Sequence, residues 1–191
     1  MPHSDGVWLA DVEATEGAGR ALAGRLRPGD VVILTGGLGA GKTAMTRGIG
    51  AGLSVRGPIT SPTFVIARVH PSLVGGPDLV HVDAYRLAGA ADLDDLDLDA
   101  DVAESVTVVE WGRGMTEQLS DEVLELEISS AVEVVADGDV TRDLGDPTTA
   151  EGAPPEYRDD SDRGGRWLRV ARATGRWRAD EVLAALRAAT S

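Results

Sequence analysis

Two short runs along the chain are apolar at nearly every position. One is Val31, Val32, Ile33 and Leu34, ending in Thr35; the other is Val106, Val108 and Val109 around Thr107. β-Branched runs without alternation read as strands buried on both faces, as in the centre of a parallel sheet. Residues 7–12 read as a short strand or sheet edge. Thr15 is placed to cap a helix over 15–26, where Ala18, Leu22 and Leu26 share a face. Arg27-Pro28-Gly29-Asp30 is a turn. The run at 31–35 leads into a glycine-rich stretch and then a helix through Leu53. That helix carries Gly48, Gly50 and Gly52, each costing ~1 kcal/mol against alanine. The pattern therefore asks either for close packing on the sheet or for an early helix end. Residues 61–69 and 78–83 are strands joined by a Pro/Gly-containing loop, and 88–105 are short acidic helices. Residues 124–130 alternate as a half-solvated strand that 131–135 continue past a bulge. A strand at 166–173 and an amphipathic helix at 178–189 close the chain, with no internal repeat. Residues 137–165 are polar, acidic and rich in Pro and Gly, an exposed and mobile loop.

Composition narrows the chemistry. The chain of 191 residues has the length of one domain spanning 1–191. It has no cysteine, which excludes disulfides, thiolate metal sites and a cysteine nucleophile. Three histidines argue against a histidine-rich metal site. No apolar run approaches the ~20 residues of a membrane span, and the first residues lack the basic and apolar regions of a signal peptide, so a cytoplasmic protein is expected. The net charge of −14 is concentrated in residues 92–163, which hold 23 acidic and four basic side chains. That balance disfavours direct nucleic-acid binding. It reads as a solvated surface or as a docking face for a basic partner. Seventeen of the 18 basic residues are arginine; the exception is Lys42.

Lys42 lies in the stretch Gly36, Gly37, Leu38, Gly39, Ala40, Gly41, Lys42 and Thr43, which fits the phosphate-binding pattern G-x-x-x-x-G-K-[ST]. Glycines there let successive backbone N–H groups turn toward phosphate oxygens, and the next helix, opening at Thr43 and Ala44, aims its N-terminus at the same anion. A lysine adds a compact charge and a threonine hydroxyl can ligate Mg²⁺. No G-x-G-x-x-G occurs in the loop, which excludes a dinucleotide fingerprint there. Two carboxylates end apolar strands, Asp83 after 78–82 and Glu110 after 106–109. The C-terminal ends of parallel strands converge on the ligand crevice, so both are candidates to hold or organise the metal. His81, within a strand, fits a core histidine better than a base. Trp167 and Trp177 fit core aromatics better than nucleic-acid stacking platforms. The fold expected is α/β, a P-loop NTPase-like mixed sheet whose parallel core strands are extended by antiparallel strands and flanked by helices.

GGLGAGKT, then TSPTF at 60–64, HVDAYRL at 81–87 and VVEW at 108–111, in this order, resemble the TsaE family of bacterial ATPases of tRNA threonylcarbamoyladenosine synthesis. The resemblance covers residues 8–135 and, more weakly, the last strand and helix. It implies that Lys42 and the loop amides hold the phosphates of ATP and that Thr43 and Glu110 hold Mg²⁺. Asp83 would organise the attacking water, with Lys42, Asp83 and Glu110 as the catalytic set. Ser61, Thr63 and Phe64 would form a switch-like segment, and Trp111 would lie beside the site. It further implies that hydrolysis drives a protein pair of the TsaB and TsaD type, with tRNA bound through that complex and no membrane. The chain departs from the family pattern at Gly37, where many members are acidic, in the Gly-Arg after Trp111, and in its longer 137–165 segment. The alternatives are a small-molecule kinase on the same fold and a nucleotide sensor without turnover. Arg47 lies a turn along the helix, away from the phosphates, so hydrolysis by the isolated chain is expected to be slow. Arg86, just past Asp83, is the other arginine near the site.

Overall fold

The computed structural model describes residues 6–61, 67–86, 103–114, 119–130 and 164–190. In chain order the elements are β1 (Gly6–Leu9), α1 (Val12–Ala23), β2 (Val31–Thr35), α2 (Lys42–Leu53), β3 (Ala67–His70) and β4 (Leu79–Asp83). A 3-10 turn (Ala84–Arg86), β5 (Val106–Glu110), β6 (Val123–Ser130), β7 (Arg166–Ala173) and α3 (Ala179–Ala189) follow. The strands form one seven-stranded sheet in the order β1-β7-β6-β2-β5-β4-β3. β6, β2, β5 and β4 run parallel, while β7 and β1 extend one side and β3 the other with antiparallel pairing. This is the mixed sheet expected from the sequence. Every residue of β2, β4 and β5 is buried, as the unalternating runs require. Successive side chains take opposite faces. Val32, Leu34, Leu79, Val106 and Val108 meet Leu22, Ile49 and Leu186 of the three helices, and Val31, Ile33, Val80, Val82 and Val109 form a second cluster on the other face.

Three details differ from the sequence reading. Asp11, not Thr15, caps α1: its Oδ1 accepts a 2.7 Å bond from the Ala14 N–H, while the Thr15 hydroxyl donates back to the Asp11 carbonyl at 2.8 Å. The helix accordingly starts and ends three residues early. The glycines of α2 do not end it. Gly48 and Gly52 pack on α1 rather than on the sheet: a Cβ at Gly48 would lie 2.1 Å from the Glu16 carbonyl oxygen, and one at Gly52 2.4 Å from Ala23 Cβ. Gly50 faces the sheet side instead, where a Cβ would meet Ile59 at 2.1 Å and Leu79 of β4 at 3.3 Å. β6 is more buried than alternation predicts, because Arg113 covers Glu125 with a 2.5 Å ion pair, and its register with β7 shifts between Glu125 and Leu126. β3 is seen over Ala67–His70, and residues 62–66 of the strand expected over 61–69 lie outside the described residues. Trp177 is core, just ahead of α3, while Trp167 is half-buried against Trp8 across the β7–β1 pair. Of the helices expected over 88–105 and the loop expected over 137–165, residues 88–102 and 137–163 lie outside the described residues, as does the strand continuation at 131–135. Among the described residues no helix is long and apolar enough to cross a membrane.

Candidate nucleotide site

β2 delivers its chain into the glycine loop, and α2 begins at Lys42 on its far side. The loop needs glycine at both ends for reasons the structure makes concrete. Gly36 has φ +143, and a Cβ there would stand 2.0 Å from the Ile128 carbonyl oxygen of β6. Gly41, the N-cap of α2, has φ +107, and a Cβ would stand 2.7 Å from Nη1 of Arg166. Any L side chain would be strained in both backbone and space. Arg166 is itself buried, on β7, with Nη1 directed to the Thr15 hydroxyl at 3.4 Å. The loop is thus backed by a guanidinium that arrives 125 residues after Gly41.

Lys42 is buried, and its Nζ donates to the carbonyls of Gly36 (2.9 Å) and Gly37 (2.8 Å). It also lies 3.8 Å from the centre of the Trp111 ring, a cation–π contact. Trp111 adopts φ +64, a left-handed conformation costly for a bulky residue, secured by its N–H on the Leu34 carbonyl at 3.0 Å. Tyr85, exposed, packs on Trp111 with ring centres 5.3 Å apart. Leu38 stands out from the loop, 86% exposed, while Ala40 and Ala44 are buried.

The carboxylates follow from sheet register. Asp83 and Glu110 are partners across β4 and β5, so both strand ends meet at the edge where α2 starts. The Thr43 hydroxyl reaches both Glu110 oxygens, at 3.0 and 3.2 Å. Asp83 accepts from the Ser61 hydroxyl and from the Tyr85 N–H, each at 3.1 Å. Its carboxylate is thus held by one residue 22 positions earlier in the chain and one two positions later. His81 is wholly buried, with Nε2 2.9 Å from Glu110 Oε1. Arg47 pairs with Glu16 of α1 at 2.9 Å, away from the loop.

Of the residues singled out in the sequence, the structure brings together the glycine loop, Lys42, Thr43, Glu110 and Trp111, with Asp83 and Ser61 beside them. Thr63 and Phe64 lie outside the described residues, as does the side chain of Arg86. Sequence reasoning treated His81 as plain core and missed its bond to Glu110. The period of two along β4, which sets His81 on the face of Asp83, was the available signal. Nothing in the sequence pointed to Arg166.

A threonine hydroxyl and carboxylates form a hard, all-oxygen donor set of the kind Mg²⁺ takes. Among the described residues no three His, Cys, Asp or Glu converge as a cation cage. Mg²⁺ is commonly held by one or two carboxylates together with the phosphates of a bound nucleotide. The loop and the helix N-terminus offer the anion-binding geometry to go with it.

The family described as "Threonylcarbamoyl adenosine biosynthesis protein TsaE" matches residues 9–136. A Streptomyces coelicolor tRNA threonylcarbamoyladenosine biosynthesis protein TsaE is 62% identical over 120 residues, covering 62% of this chain and 81% of that one. A Mycobacterium leprae protein of the same name is 48% identical over 133 residues, 66% of this chain and 83% of its own. Among solved structures, Bacillus subtilis YdiB superposes with a TM-score of 0.59 at 26% identity, covering 97% of each chain.

Proposed function

The chain belongs to the TsaE family and so has its role in tRNA threonylcarbamoyladenosine biosynthesis, and we propose that its part there is Mg²⁺-dependent binding and hydrolysis of ATP. The observation that carries the reading is the meeting of Lys42, Thr43 and Glu110 at the start of α2, directly after the glycine loop. On this reading Lys42 leaves the Gly36 and Gly37 carbonyls for the β- and γ-phosphate oxygens. Thr43 and Glu110 hold the metal, which supplies neutralisation of the charge that develops on the transferred phosphoryl group. Asp83, fixed by Ser61 and the Tyr85 N–H, orients the attacking water. Trp111 and Tyr85 shield the lysine side of the loop from solvent, which strengthens each charge contact within it.

The same geometry supports a slow lone enzyme. Fast hydrolysis on such loops recruits an arginine worth ~10³–10⁵ in rate, and Arg47 is engaged with Glu16 instead. We therefore assign the work to a cytoplasmic complex, with partners of the TsaB and TsaD type completing the site and tRNA entering through them. Steady-state ATP hydrolysis should be measured for the chain alone and with candidate TsaB and TsaD proteins. Slow turnover that rises on their addition is expected, with Asp83→Asn losing turnover in both cases while still binding ATP. A lone chain that is already fast and indifferent to partners would overturn the assembly reading.

A further inference from the structure

We propose that His81 is a positioning residue for Glu110: its Nε2–H fixes Oε1 so that the carboxylate plane is set for the metal beside Thr43. The inference rests on the reading of Glu110 as a Mg²⁺ partner. His81 lies opposite Val108 in the β4–β5 register, so Glu110 is its diagonal neighbour two positions along, on the helix-facing side. Long side chains reach across such a diagonal. The ring is fully buried, and among the described residues its Nδ1 has no hydrogen-bond partner. A proton on Nδ1 would find no acceptor, so the tautomer that satisfies the pair carries it on Nε2, donating to Oε1 at 2.9 Å.

The unpartnered Nδ1 is informative. Leaving a buried nitrogen unsatisfied is a cost, and a leucine would fill the same space without it. The ring's contribution is therefore its bond to Glu110. Oε1 lies within hydrogen-bond reach of both His81 and Thr43, whereas Oε2 is reached by Thr43 alone among the described residues. The single Thr43 proton is shared between the two oxygens, so the His81 bond to Oε1 is what breaks their equivalence, holding the carboxylate against rotation and leaving Oε2 as the freer ligand. Groups that orient a metal-binding side chain in this way commonly change metal affinity ~10–100-fold when removed.

The test is binding of a fluorescent ATP analogue, titrated with Mg²⁺ and separately in EDTA. His81→Leu should raise the Mg²⁺ half-saturation by ~10–100-fold while leaving binding in EDTA unchanged. His81→Gln, whose amide nitrogen reaches near the place of Nε2, should stay close to wild type. In a Glu110→Gln background, His81→Leu should add no further shift, because the partner through which it acts is gone. If the leucine variant does not fold, His81→Asn, which withdraws the donor from Glu110, takes its place. Wild-type binding that ignores Mg²⁺ would remove the metal role of Glu110 and the inference with it. A Mg²⁺-dependent wild type whose folded leucine or asparagine variant keeps the same half-saturation would overturn the His81 inference alone.

Discussion

Glycine-to-alanine replacement in helices gives opposite signs at two positions of this chain. In a helix interior the change is worth ~1 kcal/mol in favour of alanine. Gly17 of α1 has nothing within 4 Å of the place its Cβ would take, so it should realise about 0.4–1 kcal/mol of that gain. Gly48 of α2 faces the backbone of α1. Its Cβ would stand 2.1 Å from the Glu16 carbonyl oxygen and 2.8 Å from the carbonyl carbon. The reverse contact is as tight, with a Cβ at Gly19 reaching 2.4 Å from the Met45 carbonyl oxygen. Backbone cannot rotate away as a side chain does, so the helices must separate by roughly 1 Å and core contacts between them are lost. Overpacking of this kind costs up to about 3 kcal/mol, which leaves a net loss of roughly 2 kcal/mol after the helical gain. For a chain of this size that is a fall in Tm of roughly 4–8 °C, against a rise of a few degrees for Gly17→Ala. Thermal melts followed by far-UV circular dichroism separate the two. Because α2 begins with Lys42 and Thr43, nucleotide affinity should fall with Gly48→Ala and not with Gly17→Ala. A Gly48→Ala protein that melts at or above wild type would refute the packing argument.

Lys42→Arg should not restore ATP turnover, since a planar guanidinium does not fit a pocket bounded by two loop carbonyls and the Trp111 face; full activity in a hydrolysis assay would contradict this. Glu110→Gln should weaken Mg²⁺-dependent nucleotide binding, whereas Asp83→Asn should spare binding and lower turnover; equal losses of affinity in titrations of both would undo that division of roles. Burial pushes the Glu127 carboxyl up, but the guanidinium groups of Arg113 and Arg169 outweigh it and hold the pKa below its usual 4.5. A lowered folded-state value means that this stabilisation is complete above pH 4.5 and is lost as pH falls through the lower value, so denaturant melts should show Glu127→Gln with a flatter acid limb than wild type. An unchanged acid limb would show that the two arginines do not act on Glu127.

What could be read from the sequence was whatever depends on local pattern. β2 and β5 were legible because a run apolar on both faces has only one home, the inside of a sheet. Lys42 stood out as the chain's single lysine, and Asp83 and Glu110 stood at the ends of runs whose direction was already clear. What failed was whatever depends on which surfaces meet. Asp11 follows the apolar start of the chain and was absorbed into a strand, so the cap was assigned to Thr15 four residues on. The glycines of α2 announced a close approach, but the sequence does not say whether a sheet or a helix approaches, and the reciprocal Gly19 carried no mark of its own. The β4–β5 register alone converts His81 from a core residue into a partner of Glu110, and the return of β7 alone sets Arg166 behind Gly41.

The central claim, that the glycine loop with Lys42, Thr43 and Glu110 is a Mg²⁺-dependent ATP site, is tested most directly by calorimetric titration of ATP into the wild-type and Lys42→Ala chains, with and without Mg²⁺. The account predicts saturable one-site binding to the wild type that strengthens with Mg²⁺, and its loss in Lys42→Ala at an intact fold. No saturable binding by the wild type, or the same affinity in the folded Lys42→Ala protein, would contradict it.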